Sequence, residues 1–275
     1  MKKRLITGAI GSAALLLCIF VFPLWLVGAV LGALSVIAAW EILHCTFSAS
    51  PIRVYVSTMV SAFLLPLIFS LGFEIRWSIW VIFLLFFVFS CELIFSYRKP
   101  ERNTFEMVAI SMLAGVVLPM MLGYLGRIGV DDGAVGRVRM MLPFVIAFTC
   151  DTGAYFSGRF FGKHKLAENV SPHKTVEGGI GGIICSLLCT ALYGWILIVC
   201  GYTVDMLSLA LFALLGSVIS QLGDLTFSAI KRQYGIKDFG NILPGHGGVL
   251  DRFDSIYYLV PLTEFWMLIY PAIRL

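Results

Sequence analysis

The sequence predicts an all-α, polytopic membrane protein of about nine transmembrane helices, with a cytoplasm-facing polar site in its C-terminal half. Three observations lead there. Of 275 residues, 59% are hydrophobic and 13% charged, against about 25% charged in an ordinary soluble domain, and mean hydropathy is +0.93. The apolar residues come in runs of about 20, the length of a helix that crosses a bilayer, rather than the alternating segments of about ten of a membrane β-barrel. Lysine and arginine fall between those runs in a sided pattern. This composition excludes a soluble enzyme, a disordered chain and a secreted disulfide scaffold.

The spans follow in order. Met1-Lys2-Lys3-Arg4 and the apolar run behind it have the start of a signal peptide. The run continues past Pro23 to Ala39 without a clear cleavage site, so it reads as two spans, 5–22 and 24–44, joined by a tight turn. Further spans are expected at 55–73, 77–97, 107–125, 140–157, 178–200, 205–225 and 255–273. With the N-terminus in the cytoplasm, 15 of the 20 Lys and Arg fall on the cytoplasmic side and 5 on the other, as the positive-inside rule requires. Residues 1–136 read as an N-terminal scaffold of about five helices and 137–275 as a catalytic transmembrane region, since the long polar stretches 150–177 and 224–254 both fall there. Long ordered loops commonly carry function. The net charge of +4 is too mild to point to nucleic acid. The seven cysteines contain no CxxC pair and sit mostly in apolar runs, where thiols serve as small hydrophobes.

The stretch Ser220–Ser255 is the densest in reactive side chains. Asp251 and Asp254 are three apart and share a face if helical. Asp224 closes the eighth span, where a charge near membrane depth is costly enough to imply use. Three carboxylates offer the hard oxygen ligands that Mg²⁺ favours. Salt bridges from these acids to Arg252, Lys231 or Arg232 are the alternative. Lys231, Arg232, Lys237 and Arg252 lie among the acids, and Gly240, Gly245, Gly247 and Gly248 supply open backbone. Cations, a divalent metal and accessible N–H groups together suit a polyphosphate, whereas basic residues alone would suit anionic headgroups. His246, between glycines, could donate to a phosphate, act as an acid or make a loop hydrogen bond. Asp151 lies late in the sixth span. Ser171 reads as a helix N-cap with Pro172 at the first helical position, so that Lys174 and Thr175 stand at a helix N-terminus able to receive an anion. Gly178 and Gly182 form GxxxG, a close-packing spacing. Walker A, HExxH and GxSxG motifs are absent.

From Ser228 to Asp254 the sequence resembles the signature of the phosphatidate cytidylyltransferase (CDP-diglyceride synthase) family, S-x-aliphatic-K-R-x4-K-D-x-small-x2-L-P-x-H-G-G-x2-D-R-x-D. Ser228, Ile230, Lys231, Arg232, Lys237, Asp238, Gly240, Leu243, Pro244, His246, Gly247, Gly248, Asp251, Arg252 and Asp254 all match it. Gln221-Leu222-Gly223-Asp224, Asp151–Tyr155 and Ser171–Gly182 are similar to the family too, as is the pair Trp40-Glu41. The chain departs at His173, Val176 and Gly179, where the family has lysine, tryptophan and phenylalanine. The resemblance implies a transferase that makes CDP-diacylglycerol and pyrophosphate from CTP and phosphatidic acid, with one or two metal ions, Mg²⁺ first. It implies metal ligation by Asp224, Asp251 and Asp254 and catalytic roles for Lys231, Arg232, Lys237, Asp238, His246 and Arg252. It implies substrate contacts from Asp151, Ser171, Lys174, Thr175, Gly247 and Gly248. It also implies a homodimer. The spans themselves place the chain in an inner, plasma or endoplasmic-reticulum-type membrane, a bacterial inner membrane being expected first for so compact a chain, and the sided charge puts the N-terminus and active site in the cytoplasm. The same chemistry on another lipid phosphate, a transporter, and an inactive lipid-binding relative are the competing expectations.

Overall fold

The computed structural model describes residues 2–47, 52–73, 75–97, 104–131, 133–242 and 247–275, without the side chains of 2–10, 75, 76, 78 and 131. The described chain is helical almost throughout. Its helices are α1 (Lys2–Phe20), α2 (Leu24–Thr46), α3 (Ile52–Ser70), α4 (Ile75–Ser96), α5 (Phe105–Met112), α6 (Leu118–Asp131), α7 (Gly133–Met140), α8 (Leu142–Phe161), α9 (Val176–Val199), α10 (Met206–Gln233) and α11 (Leu250–Ile269). A π-helical turn, Leu113–Val117, joins α5 to α6. Strands β1 (Lys165–Ala167) and β2 (Ser171–Thr175) pair antiparallel, as do β3 (Thr203–Val204) and β4 (Ile273–Arg274). The expected spans fall on helical segments, 107–125 on α5, the π-turn and α6 together, and 255–273 on α11 and the residues after it. Seven described segments are long and apolar enough to cross a membrane. The described apolar part of α1 is shorter, Gly11–Phe20, and α11 carries Asp251, Arg252, Asp254 and Glu264.

The chain divides into two compact units, Met1–Asp131 with Asp238–Arg252, and Asp132–Lys237 with Phe253–Leu275. The first is built on α3. Val54 and Leu65 of α3 meet Leu85 and Phe89 of α4, Val108 of α5 and Val116 of the π-turn in one buried cluster. Small residues set the closest approaches. A Cβ on Gly32 of α2 would lie 2.7 Å from the carbonyl of Phe63, and one on Gly115 would lie 2.8 Å from Ser61 Oγ. Lipid tails are as apolar as leucine, so close contact between backbones replaces hydrophobic burial as the adhesive.

The second unit uses the same device. The buried positions of α9 are Gly178, Gly182, Ser186, Thr190, Gly194 and Leu197, a stripe of small residues at helical spacing, while Leu188 (67% exposed) and Trp195 (59%) point away. Such an arrangement suits surrounding lipid. The GxxxG expectation is met against α8: Cβ atoms on Gly178 and Gly182 would stand 2.9 and 2.8 Å from the carbonyls of Ala154 and Cys150. The other end of the unit is closed by Asp205, which caps α10 by accepting from the N–H groups of Leu207 and Ser208 at 3.0 and 3.1 Å.

Two local expectations need correction. Ser171 does not cap a helix. It pairs with Ala167 in the β1–β2 hairpin, and α9 starts five residues later with Thr175 as its cap, Oγ1 accepting the Gly178 N–H at 3.1 Å. Both residue types can cap; pairing of 171–175 with β1 keeps the chain extended through Thr175, so the helix starts only after it and Thr175 becomes the cap. Helix α10 runs to Gln233 rather than ending near residue 225. Its added turns are polar, so hydropathy does not reveal them, and Lys231 and Arg232 in the last turn favour the negative end of the helix dipole.

Candidate active site

The second unit holds a cavity of about 500 Å³ where α8, β2, α9 and α10 meet. Helix α8 contributes Asp151, Tyr155 and Arg159, three side chains four residues apart and hence on one face. Strand β2 contributes His173, Lys174 and Thr175, the start of α9 contributes Gly178 and Gly179, and α10 contributes Gln221 and Asp224. The lining surface is mostly apolar, with Asp151, Arg159, Lys174 and Asp224 as its charged residues. Lys174 Nζ makes an ion pair with Asp224 Oδ2, each side chain 27% exposed. This is neither Lys231, Arg232 nor Arg252, the partners that the spacing had suggested for the acids. Arg159 donates to Tyr155 Oη at 3.0 Å. Gln221 donates to the carbonyl of Gly179 at 3.2 Å, and a Cβ on Gly179 would come within 2.8 Å of its Oε1.

Helix α10 presents Asp224, Ser228 and Lys231 on one face, with Ser228 Oγ donating to Asp224 Oδ1 at 3.3 Å. Gly223 beside them lets α11 pass close: a Cβ there would lie 3.1 Å from the carbonyl of Asp254. Asp254, in the charged opening turns of α11, feels the consequence. Burial, then the carboxylate of Asp224 and more weakly that of Asp151, push its carboxyl up to about 7, while the Ser255 N–H and Lys231 oppose. Three carboxylates therefore share one neighbourhood in this unit. Among the described residues no group of three or more His, Cys, Asp or Glu side chains is itself arranged to hold a metal ion. Mg²⁺ is commonly held by one or two carboxylates together with substrate phosphates, and Asp224 and Asp254 fit that donor set.

Arg232 spends its guanidinium differently, donating to the carbonyls of Val170 and Ile236 at 3.2 and 3.1 Å. It thus ties the β1–β2 hairpin to the chain leaving α10. Glu177 holds the other foot of the hairpin, accepting from the N–H groups of Lys163 and His164 at 3.1 and 3.2 Å. Lys237 is exposed.

The first unit contains the other part of the signature. Asp251 is buried, and its Oδ2 accepts the N–H groups of Phe239 and Gly248 at 2.9 and 3.0 Å. Gly247 has φ of 85°, a conformation that other residues adopt at a cost, and a Cβ there would stand 3.2 Å from Asp251 Oδ2. Asp238 is exposed beside it, and Arg252 is exposed on α11. Residues 243–246, and with them His246, lie outside the described residues. One carboxylate that the sequence analysis did not place in the site is here: Glu41 of α2, fully buried, accepts the N–H groups of Val249 and Leu250 at 2.9 and 2.8 Å. The available signal was an acid inside an apolar run next to Trp40.

The fold is that of an integral membrane protein with a charged cavity and a carboxylate-tied glycine loop. Residues 2–270 match the model of the cytidylyltransferase family, and the chain belongs to that family. It is 38% identical over 185 residues to the phosphatidate cytidylyltransferase of Bacillus subtilis (strain 168), covering 66% of this chain and 67% of that protein. The phosphatidate cytidylyltransferase of Staphylococcus saprophyticus is 36% identical over 172 residues, and that of Staphylococcus aureus (strain COL) 37% over 177, each over 62% of this chain and 64% of the relative. The aligned part of the chain thus spans about two thirds of the length of these relatives.

Proposed function

We propose that this chain transfers the cytidylyl group of CTP to phosphatidic acid, giving CDP-diacylglycerol and pyrophosphate, at the cytoplasmic face of a bacterial inner membrane, as a homodimer. The observation that carries the reading is the cavity of the second unit, whose mostly apolar surface includes the charged residues Lys174, Arg159, Asp151 and Asp224. An amphiphile with a phosphate head and acyl tails needs that combination. The family and the names of its similar members support it.

In the reaction a phosphate oxygen of phosphatidic acid bonds to the α-phosphorus of CTP. The bond from that phosphorus to the oxygen bridging to the β-phosphate breaks, and pyrophosphate leaves with the electron pair. The nucleophile is largely ionised at neutral pH, since the second proton of a phosphate monoester leaves near pH 6. A general base is therefore not required. The barrier is the approach of two anions. Lys174 and Arg159 offset lipid and nucleotide charge at the cavity. Lys231, about two turns beyond Asp224 on α10, adds a buried cation. Asp224 and Asp254 are the carboxylates that would hold Mg²⁺, and Asp251, oriented by two N–H donors, is the third carboxylate assigned to metal. A divalent ion held by these residues would supply positive charge toward the triphosphate and the pyrophosphate leaving group. Gly247 and Gly248, without side chains, would let a phosphate approach the backbone, the Gly248 N–H itself being held by Asp251.

The test is pyrophosphate release by purified protein in detergent micelles with CTP and Mg²⁺. Phosphatidic acid, a polyprenyl phosphate and no lipid are compared. Release that depends on phosphatidic acid, with CDP-diacylglycerol as product, is the expected result. Release with the polyprenyl phosphate alone moves the substrate to another lipid phosphate. Absence of release and of CTP binding overturns the proposal.

A further inference from the structure

The glycines of the loop 238–252 have an explanation within the first unit. Leu250 opens α11, and the first N–H groups of a helix have no partner within it. A side chain at the N-cap ordinarily satisfies one or two. Here Val249 holds the cap position and cannot. Glu41, more than two hundred residues earlier in the sequence, does so instead, with one carboxylate oxygen on Val249 N–H and the other on Leu250 N–H. The fit is close on the remaining sides. A Cβ on Gly248 would lie 2.6 Å from both Glu41 oxygens, and one on Gly240 would lie 2.5 Å from Oε1. Two glycines of the signature are thus required by one carboxylate of the N-terminal region. Beside it, Asp251 gathers Phe239 and Gly248, so the described parts of this stretch are held by two acids, one its own and one supplied by α2.

We infer that Glu41 is a positioning residue for the nucleotidyl-transfer site: its buried carboxylate holds the glycine loop and the start of α11 in the shape that presents Gly247, Gly248, Asp251 and Arg252. The inference rests on the proposed reaction for its kinetic consequence and stands without it for its structural one. Glu41 touches no substrate. It acts through the two N–H groups and through the space it denies to side chains at positions 240 and 248.

The test is amide hydrogen exchange and kinetics on the full-length protein in micelles, comparing wild type with Glu41→Gln. The amide keeps the volume but offers one oxygen to two N–H groups and points donors at a donor. Exchange in peptides spanning 247–252 is expected to quicken at least tenfold, with peptides of α3 and α6 unchanged. With CTP and phosphatidic acid, kcat per folded protein is expected to fall at least tenfold while KM for the lipid stays within twofold. Glu41→Asp, which keeps the charge, is expected to recover part of kcat, and it carries the comparison if Glu41→Gln does not express. Unchanged exchange in the loop, acceleration spread evenly through the unit, or unaltered kcat overturns the inference. If wild type itself fails to turn over CTP with phosphatidic acid, the proposed reaction falls, and the exchange data decide the role of Glu41 alone.

Discussion

Replacing Lys174 by methionine removes a charge while keeping most of the side-chain volume, and its two consequences separate. The first is the ion pair with Asp224, whose partners each retain 27% of their exposure. Exposed pairs contribute about 0.2–1 kcal/mol, whereas breaking a buried one costs about 3–5 kcal/mol. A pair at this depth falls between, at about 1–2 kcal/mol, or a loss of roughly 2–8 °C in melting temperature at about 2–4 °C per kcal/mol. The second is the phosphate contact. A hydrogen bond to a charged group contributes about 1.5–3 kcal/mol, which at about 1.4 kcal/mol per decade is roughly a 10- to 150-fold fall in kcat/KM. Lys174 also competes with any cation for Asp224, so the Mg²⁺ concentration needed for half activation should fall while the requirement for phosphate-bearing substrate rises. The assay is pyrophosphate release with CTP, lipid and Mg²⁺ titrated in turn, beside a thermal melt in the same micelles. A lower melting temperature with kcat/KM within twofold of wild type would refute the reasoning and leave Lys174 a structural partner of Asp224.

Asp224→Asn and Asp254→Asn should each lower turnover by about a hundredfold or more with expression retained, Asp224→Asn also losing the few degrees of melting temperature that go with its Lys174 ion pair, and chelation of wild type should reproduce the loss of turnover until Mg²⁺ is restored. Asp251→Asn should do the same and also loosen the loop, read as faster exchange at Phe239 and Gly248; a wild-type rate in any of the three removes that residue from the metal assignment. Arg232→Ala should cost about 1 kcal/mol in stability, because the guanidinium holds the carbonyls of Val170 and Ile236, and leave KM for CTP within about threefold. A tenfold rise in that KM would place Arg232 on phosphate, as the signature implies. Gly223→Ala adds a Cβ 3.1 Å from the carbonyl of Asp254 and 2.9 Å from Tyr258 Cδ2. Overpacking of this kind costs about 1–3 kcal/mol, and turnover should fall further than the melt accounts for, since the displaced backbone belongs to Asp254; equal losses in both would deny that link.

What the sequence revealed follows from which forces act locally. Hydropathy locates helices α2 to α10 because lipid demands it of each span separately. The pairing of Gly178 and Gly182 with α8 was visible for the same reason: a small-residue spacing has few other uses in an apolar helix. The reactive acids were visible by their cost at the edge of a membrane. Missing were features decided by a second strand or helix. The choice between Ser171 and Thr175 as cap turns on pairing with residues 165–167. The partner of Lys174 is fifty residues away. Arg159 lies beyond the expected span 140–157, and it is the continuation of α8 to Phe161 that brings it onto the face of Asp151 and Tyr155. Glu41 looked like a lone acid near a span end, because nothing in α2 announces the loop it holds.

That last case bears on how polar sites are held in a membrane protein. In water, a loop can be fixed by covering an apolar flank, and the drive comes from solvent. Among lipid tails that drive is weak, and the remaining means are hydrogen bonds and close backbone contact. Both are found at the described parts of this site. Carboxylates of Glu41 and Asp251 take four backbone N–H groups between them, and glycines at 178, 182, 223, 240 and 248 stand where a methyl group would meet a carbonyl or a carboxylate. The charges in such a site have two separable duties, those that hold the backbone and those that meet the substrate. Glu41 and Arg232, with bonds to the backbone, belong to the first by geometry. Lys174, Asp224 and Asp254 belong to the second by their place on the cavity or beside it. A signature motif records both duties without distinguishing them, so the residues it names will divide in kinetics along the line drawn by their hydrogen bonds.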